Sequence, residues 1–175
     1  MTVTGINLPA GGNASLVYRA IATEYAPLAV GNTIDNTATV TGAGRNQPLE
    51  AVAVATAVNE PDLRIVKTMT PTTVTENGQL TYTFTIQNFG NREATVADDA
   101  VLNDVFDPIL NNIAVTYNGQ PWATPTNYTY NAANGTFTTA AGQITVPPAT
   151  YTTDPTTGAV TTTPGIATIM VTGTV

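Results

Sequence analysis

Five oxygen-bearing side chains fall within ten residues at Asp98, Asp99, Asn103, Asp104 and Asp107. Clustered carboxylate and amide oxygens suit a hard cation, and calcium accepts many such ligands in irregular loops. The spacing is not that of an EF-hand. The expectation is at most a weak calcium site at Asp98, Asp99, Asp104 and Asp107, set against the plainer reading of a solvated acidic loop. A second set is aromatic: Trp122, Tyr128, Tyr130, Phe137 and Tyr151. Exposed rings on loops stack on sugars or anchor a partner protein. The competing reading is core packing and cross-strand pairing. Trp122 follows Pro121 in an expected loop and is the residue singled out for glycan binding.

Catalytic chemistry finds little to work with. The chain has no cysteine and no histidine, which excludes Cys/His zinc sites, histidine-dependent triads and thiol nucleophiles. Asp104 could be paired with Asp107 or Glu93, but nothing places such a pair about a scissile bond. No enzyme activity and no cofactor beyond possible calcium are expected. The net charge is −7, with five scattered basic residues, of which Lys67 is the only lysine. Nucleic acid and anionic membrane are poor partners for such a surface, because both need Lys/Arg clusters. No apolar run approaches the length that crosses a bilayer, and the first residues lack the basic and apolar regions of a signal peptide.

The elements that must position these residues are strands. Roughly a fifth of the 175 residues are threonine, a β-branched type that favours half-solvated strands. Leu80, Tyr82, Phe84 and Ile86 alternate with Thr81, Thr83 and Thr85, the period-two pattern of a strand with one face buried. The same reasoning predicts strands over Leu16–Glu24, Thr33–Thr41, Glu50–Val58, Leu63–Thr68, Ile113–Tyr117, Tyr128–Tyr130, Thr136–Thr139, Gln143–Val146 and Ile166–Val175. Turn signals separate them, among them Asn77-Gly78, Asn118-Gly119 and Asn134-Gly135, the last read as a two-residue hairpin. No segment has convincing helical periodicity. Short strands with frequent turns predict an all-β fold, an antiparallel immunoglobulin-like β-sandwich.

Pro61 marks the best boundary between strand runs, giving segments 1–60 and 62–175. A weak internal repeat crosses that boundary. Gly5-Ile6-Asn7-Leu8-Pro9 is similar to Gly142-Gln143-Ile144-Thr145-Val146-Pro147, and each leads through a loop to an apolar/Thr run, Ala14–Thr23 and Ile166–Val175. On this reading 1–60 holds the last strands of one repeat. Segment 62–175 is the main sandwich of the next, without its own last strands.

Four stretches resemble the bacterial conserved-repeat family of surface proteins known as domain of unknown function eleven. Pro61-Asp-Leu-Arg-Ile-Val-Lys67-Thr-Met-Thr-Pro71 is similar to its opening strand. Gly78–Gly90, with Tyr82-Thr83 and Asn88-Phe89-Gly90, is similar to its second. Val101–Pro108 resembles its Asp-bearing strand, and Asn36-Thr37-Ala38-Thr39-Val40 its closing one. The likeness covers most of residues 14–117; Pro121–Thr163 is longer and more irregular than the family pattern. It implies tandem sandwich repeats on the cell surface or cell wall, in a stalk, layer or fibre. Partners would be other copies or adjoining repeats. An adhesive module, recognising a glycan or host protein through the 121–163 loops, is the alternative.

The resemblance also implies candidates for an isopeptide bond: Lys67, Asn36 and Asp104. Related sandwiches join a first-strand lysine to a last-strand asparagine with help from a mid-chain acid. A desolvated lysine becomes nucleophilic, and a protonated acid polarises the amide carbonyl. Here the order along the chain is permuted, so Asn36 and Lys67 are expected to meet between chains rather than within one. Segment 1–60 of one molecule would complete the sandwich of its neighbour by strand complementation. The plainer reading makes Lys67 a solvated lysine, Asp104 a turn residue and Asn36 a backbone cap.

Overall fold

A computed structural model describes residues 1–42 and 46–175. Alternation in sequence becomes alternation in burial most cleanly in β4 (Gln79–Asn88), where Leu80, Tyr82, Phe84 and Ile86 are buried and the intervening threonines are not. β4 lies between β3 (Leu63–Thr70) and β12 (Gly165–Thr174), and β12 pairs in turn with β6 (Asn111–Tyr117) and that with β7 (Gln120–Trp122). All of these pairings are antiparallel. The register stacks apolar rungs across the sheet: Phe84 faces Ile169, which faces Tyr117, and Tyr82 faces Val171, which faces Val115.

The second layer is a three-stranded sheet in the order β5 (Asn103–Val105), β9 (Thr136–Thr139), β8 (Tyr128–Asn131). Phe106, at the end of β5, joins the layers. Its ring stacks on Tyr82 at 4.9 Å and 7° and also meets Phe84, Tyr130 and Phe137. Phe84, Phe106 and Phe137 are fully buried, each contributing about 2 kcal/mol of transfer free energy. The fold is thus an all-β sandwich, with five strands facing three. β10 (Thr150–Thr153) and β11 (Val160–Thr163) form a separate hairpin.

Asn88 secures one end of the slab. It is completely buried, and its Oδ1 accepts from the Asp62 and Gly90 amides while its Nδ2 donates to the Arg92 and Val146 carbonyls. At the Asn118-Gly119 turn both residues have positive φ, 47° and 79°, and Tyr117 pairs with Gln120 across it. This is the two-residue hairpin that Asn-Gly favours. At Asn134-Gly135 the expectation fails: Asn131 pairs with Thr136, so the loop is four residues long.

Other differences from expectation have a common cause. Leu16–Glu24 forms no strand and is exposed, whereas the similar run in β12 is flanked on both sides, by β4 and β6. A strand needs a neighbouring strand, and among the described residues none pairs with the first copy of the repeat. The preceding motif behaves the same way: Ile144 and Val146 are buried, while Ile6 and Leu8 are exposed. Gln143–Val146 supplies only a single bridge, from Val146 to Ala94. Strands β7, β10 and β11 were not expected, being short and interrupted by proline or unrelieved threonine.

Among the described residues of segment 1–60 the regular structure is one hairpin. β1 (Thr33–Val40) and β2 (Leu49–Thr56) make an antiparallel hairpin in which every residue is exposed. The hairpin joins the sandwich through Ala57–Asp62. There Asn91 Nδ2 donates to the carbonyls of Leu28 and Val58, and Asn91 Oδ1 accepts from the Glu60 amide.

Candidate functional site

β3 is the outermost strand of the five-stranded sheet, and β5 the outermost strand of the three-stranded one. The two free edges lie on the same side of the sandwich. The groove between them has a volume of about 410 Å³ and is lined by Leu63, Ile65 and Ile86 on one wall and by Ala100, Leu102 and Ile144 on the other. The smaller sheet stops short, so the inward-facing side chains of β3 remain uncovered: Ile65 is 52% exposed and Met69 43%.

Lys67 sits in the middle of that inward-facing row. It is directly across from Phe84, between Ile65 opposite Ile86 and Met69 opposite Tyr82. Its ammonium lies 4.5 Å from the Tyr82 ring centroid, 5.5 Å from Phe84 and 5.7 Å from Phe106, distances at which ring faces attract a cation. From the opposite sheet, Asp104 Oδ2 accepts a hydrogen bond from Lys67 Nζ. Asp104 points inward because β5 continues the alternation of Leu102 and Phe106, both buried. Lys67 is therefore not a free surface lysine and Asp104 is not a turn residue. The two side chains keep 37% and 20% exposure through the open groove. Burial pushes the Tyr82 phenol up, and the charges of Asp104 and Asp107 add to the shift.

Asn36 is not brought to this pair within one chain. It lies in β1, paired with Ala53, and its Nδ2 donates to the Tyr18 hydroxyl at 2.6 Å. Its side chain belongs to the hairpin face that also carries Ile34, Ala38, Val40, Leu49, Ala51, Ala53 and Ala55 by strand alternation. The carboxamide is thus the one polar side chain that β1 and β2 place on this face, and it meets the Tyr18 hydroxyl there.

The acidic cluster is dispersed. Asp98 binds Arg92 through both carboxylate oxygens and accepts from the Thr95 amide and hydroxyl, capping the 3-10 turn Val96–Asp98. These contacts, led by Arg92, hold its carboxyl well below the usual carboxylate range. Asp104 faces Lys67 in the groove. Among the described residues no three acidic side chains converge as a metal site would require. Trp122 is in strand β7 rather than in a loop. Its ring stacks on Tyr117 at 4.8 Å and packs against the edge of the core.

The rings beneath Lys67 and the buried Asn88 are the residues that sequence reasoning passed over. The alternation of β4 signalled Tyr82 and Phe84 as core, but only the β3–β4 register sets them under a lysine. No family model, curated protein or solved structure matches the chain.

Proposed function

We propose that the chain is a structural repeat of an extracellular bacterial stalk, layer or fibre, immunoglobulin-like in the broad sense, which bears load at the cell surface or cell wall. The observation that carries this reading is the internal repeat. The motif at Ile144–Val146 and the strand β12 are built into a sandwich, while the similar Ile6–Leu8 and Ala14–Thr23 lie outside it. A chain holding one sandwich and, outside it, an exposed second copy of the same motif is suited to joining end to end with other copies or adjoining repeats.

In this reading an amide bond between Lys67 and Asn36 of different copies locks the join. With water excluded, a proton passes from Lys67 Nζ to Asp104. The free amine then attacks Asn36 Cγ, and the Cγ–Nδ2 bond breaks. The leaving nitrogen takes one proton from the attacking amine and one from Asp104, departs as an ammonium ion, and Asp104 returns to its carboxylate. The lysine–aspartate pair on its aromatic floor supports this assignment.

Antibody labelling of intact cells of the source organism tests the surface role; labelling confined to lysed cells overturns it. Intact mass of the assembled protein tests the lock. Each bond requires the loss of one ammonia, and an unmodified mass in boiled, assembled material removes it.

A further inference from the structure

Two unsatisfied surfaces on this chain match each other. One is the groove beneath β3 and beside β5. The other is the apolar face of the β1–β2 hairpin, exposed along its whole length. We infer that the hairpin of a second copy docks by adding β1 to the free edge of β5, so that its apolar face closes the groove over β3. The inference rests on the end-to-end reading above and names its acceptor, its donor and its register.

Three features lead to this arrangement. The first is strand count. The facing sheets have five and three strands, and a two-stranded hairpin added to the smaller makes them equal. Two strands at about 4.8 Å spacing extend that sheet by roughly 10 Å, enough to roof the single strand β3. The second is edge chemistry. Among the described residues β5 has one strand neighbour, β9, and its other side is an open edge. An unpaired edge is the natural template for an incoming strand.

The third is polar complementarity, and it selects the register. Beside the groove, which Arg64 and Asn103 line along with Leu63, Ile65, Ile86 and Leu102, the two sheets are bridged by the ion pair of Lys67 with Asp104. Asn36 is the one polar side chain that the two strands place on the hairpin face, and docking exchanges its bond to the Tyr18 hydroxyl for the ion pair. Polar groups buried together must satisfy one another. A carboxamide offers an acceptor to the ammonium and a donor to the carboxylate. Antiparallel addition with Asn36 opposite Asp104 meets that need. It sets Ala38 opposite Leu102 and Ile34 opposite Phe106, so small and apolar groups enter the seam. On the outer face the same register sets Thr37 opposite Asn103 and Asp35 opposite Val105. A donor on one side of each molecule and an acceptor on another do not close on themselves, so the assembly is an open chain.

The absence of native cysteine makes the register directly readable. Thr37→Cys and Asn103→Cys variants are prepared separately, mixed and oxidised gently; both sites are exposed. The expected result is a mixed disulfide at the summed mass of the two variants. The control mixes Thr37→Cys with Gln120→Cys, an exposed site on the far edge of the larger sheet, and should yield less than a tenth as much. Ala38→Glu, which puts a charge into the apolar seam, should abolish both the mixed disulfide and the growth of scattering mass with concentration. Equal trapping at Asn103→Cys and Gln120→Cys overturns the inference, as does a monomer at every concentration. Neither result touches surface labelling of cells, so the structural role stands or falls separately.

Discussion

Lys67 stands directly across from Phe84 in the β3–β4 pair, on the face of the sheet that builds the core. A charge in that position persists because the facing sheet ends at β5 and leaves the ammonium both Asp104 and water. An ion pair with this much exposure is worth about 0–1 kcal/mol. Lys67→Met should therefore change the unfolding free energy of the separate chain by no more than about 1 kcal/mol. The same substitution should remove every trace of ammonia loss from the assembled protein. Denaturant melts and intact mass check the two halves, and retained ammonia loss would show that Lys67 is not the nucleophile.

Asn88 behaves differently because its polar atoms are sealed in. Asn88→Ala would leave the Asp62 and Gly90 amides and the Arg92 carbonyl without that partner, while the Val146 carbonyl keeps the Ala94 amide. Unpaired buried groups cost about 1–3 kcal/mol each where water cannot reach them. A loss of about 3 kcal/mol or more in urea unfolding is expected. A loss under about 1 kcal/mol would mean that water replaces the side chain.

Gly165 opens β12 where the chain passes the Pro147-Pro148 segment. A Cβ there would overlap the Pro147 carbonyl oxygen and approach the Pro148 oxygen to 2.8 Å. Both obstacles are backbone and cannot rotate away. Gly165→Ala should lower the melting temperature well beyond the shift caused by Gly119→Ala, where the turn offers open space and only the positive φ is strained. Equal melting temperatures would count against this close approach.

Acid should weaken the sandwich through Asp98. Its folded carboxyl is held low by Arg92 and by the Thr95 amide and hydroxyl, whereas the unfolded chain titrates at about 4. A depressed folded pKa gives a contribution that is fully present above the unfolded value. It is lost as pH falls from about 4 toward the folded value. Asp154 has the same sign, lowered by the amides of Thr157 and Thr156. Melting temperature should fall between pH of about 5 and 2, and Asp98→Asn should start lower at neutral pH and fall less steeply. Parallel curves for the two proteins would sink the assignment.

Calcium should do nothing measurable to the melt. Asp98 is engaged by Arg92 and Asp104 by Lys67, so a cation would have to displace an existing partner at each. A rise in melting temperature with calcium, reversed by chelator, would overturn that reading.

The strands were most legible where one sheet face is buried. Leu80–Ile86 declares its inward side by alternation alone, and Asn118-Gly119 declares its turn because that geometry needs two positive φ angles. Legibility failed where neighbours decide. Leu16–Glu24 carries as good a strand pattern as β12, yet only β12 has β4 and β6 beside it. Trp122 looked like a loop residue beside Pro121 but pairs with Val115 in an edge strand, where a proline costs no sheet hydrogen bond on the open side.

What the residues determined by themselves was local and chemical. They specified an all-β chain, its apolar stripes, and the absence of thiol and imidazole chemistry. Tertiary structure decided the rest: Lys67 meets Asp104 over three rings, five strands face three, and Asn36 lies on a hairpin outside the slab. The physical reason is that alternation tells a strand which face to bury but not which strand will lie beside it. Pairing partners come from long-range register, in which residues such as Lys67 and Asp104, or Gln79 and Thr174, are brought together only by the completed sheets.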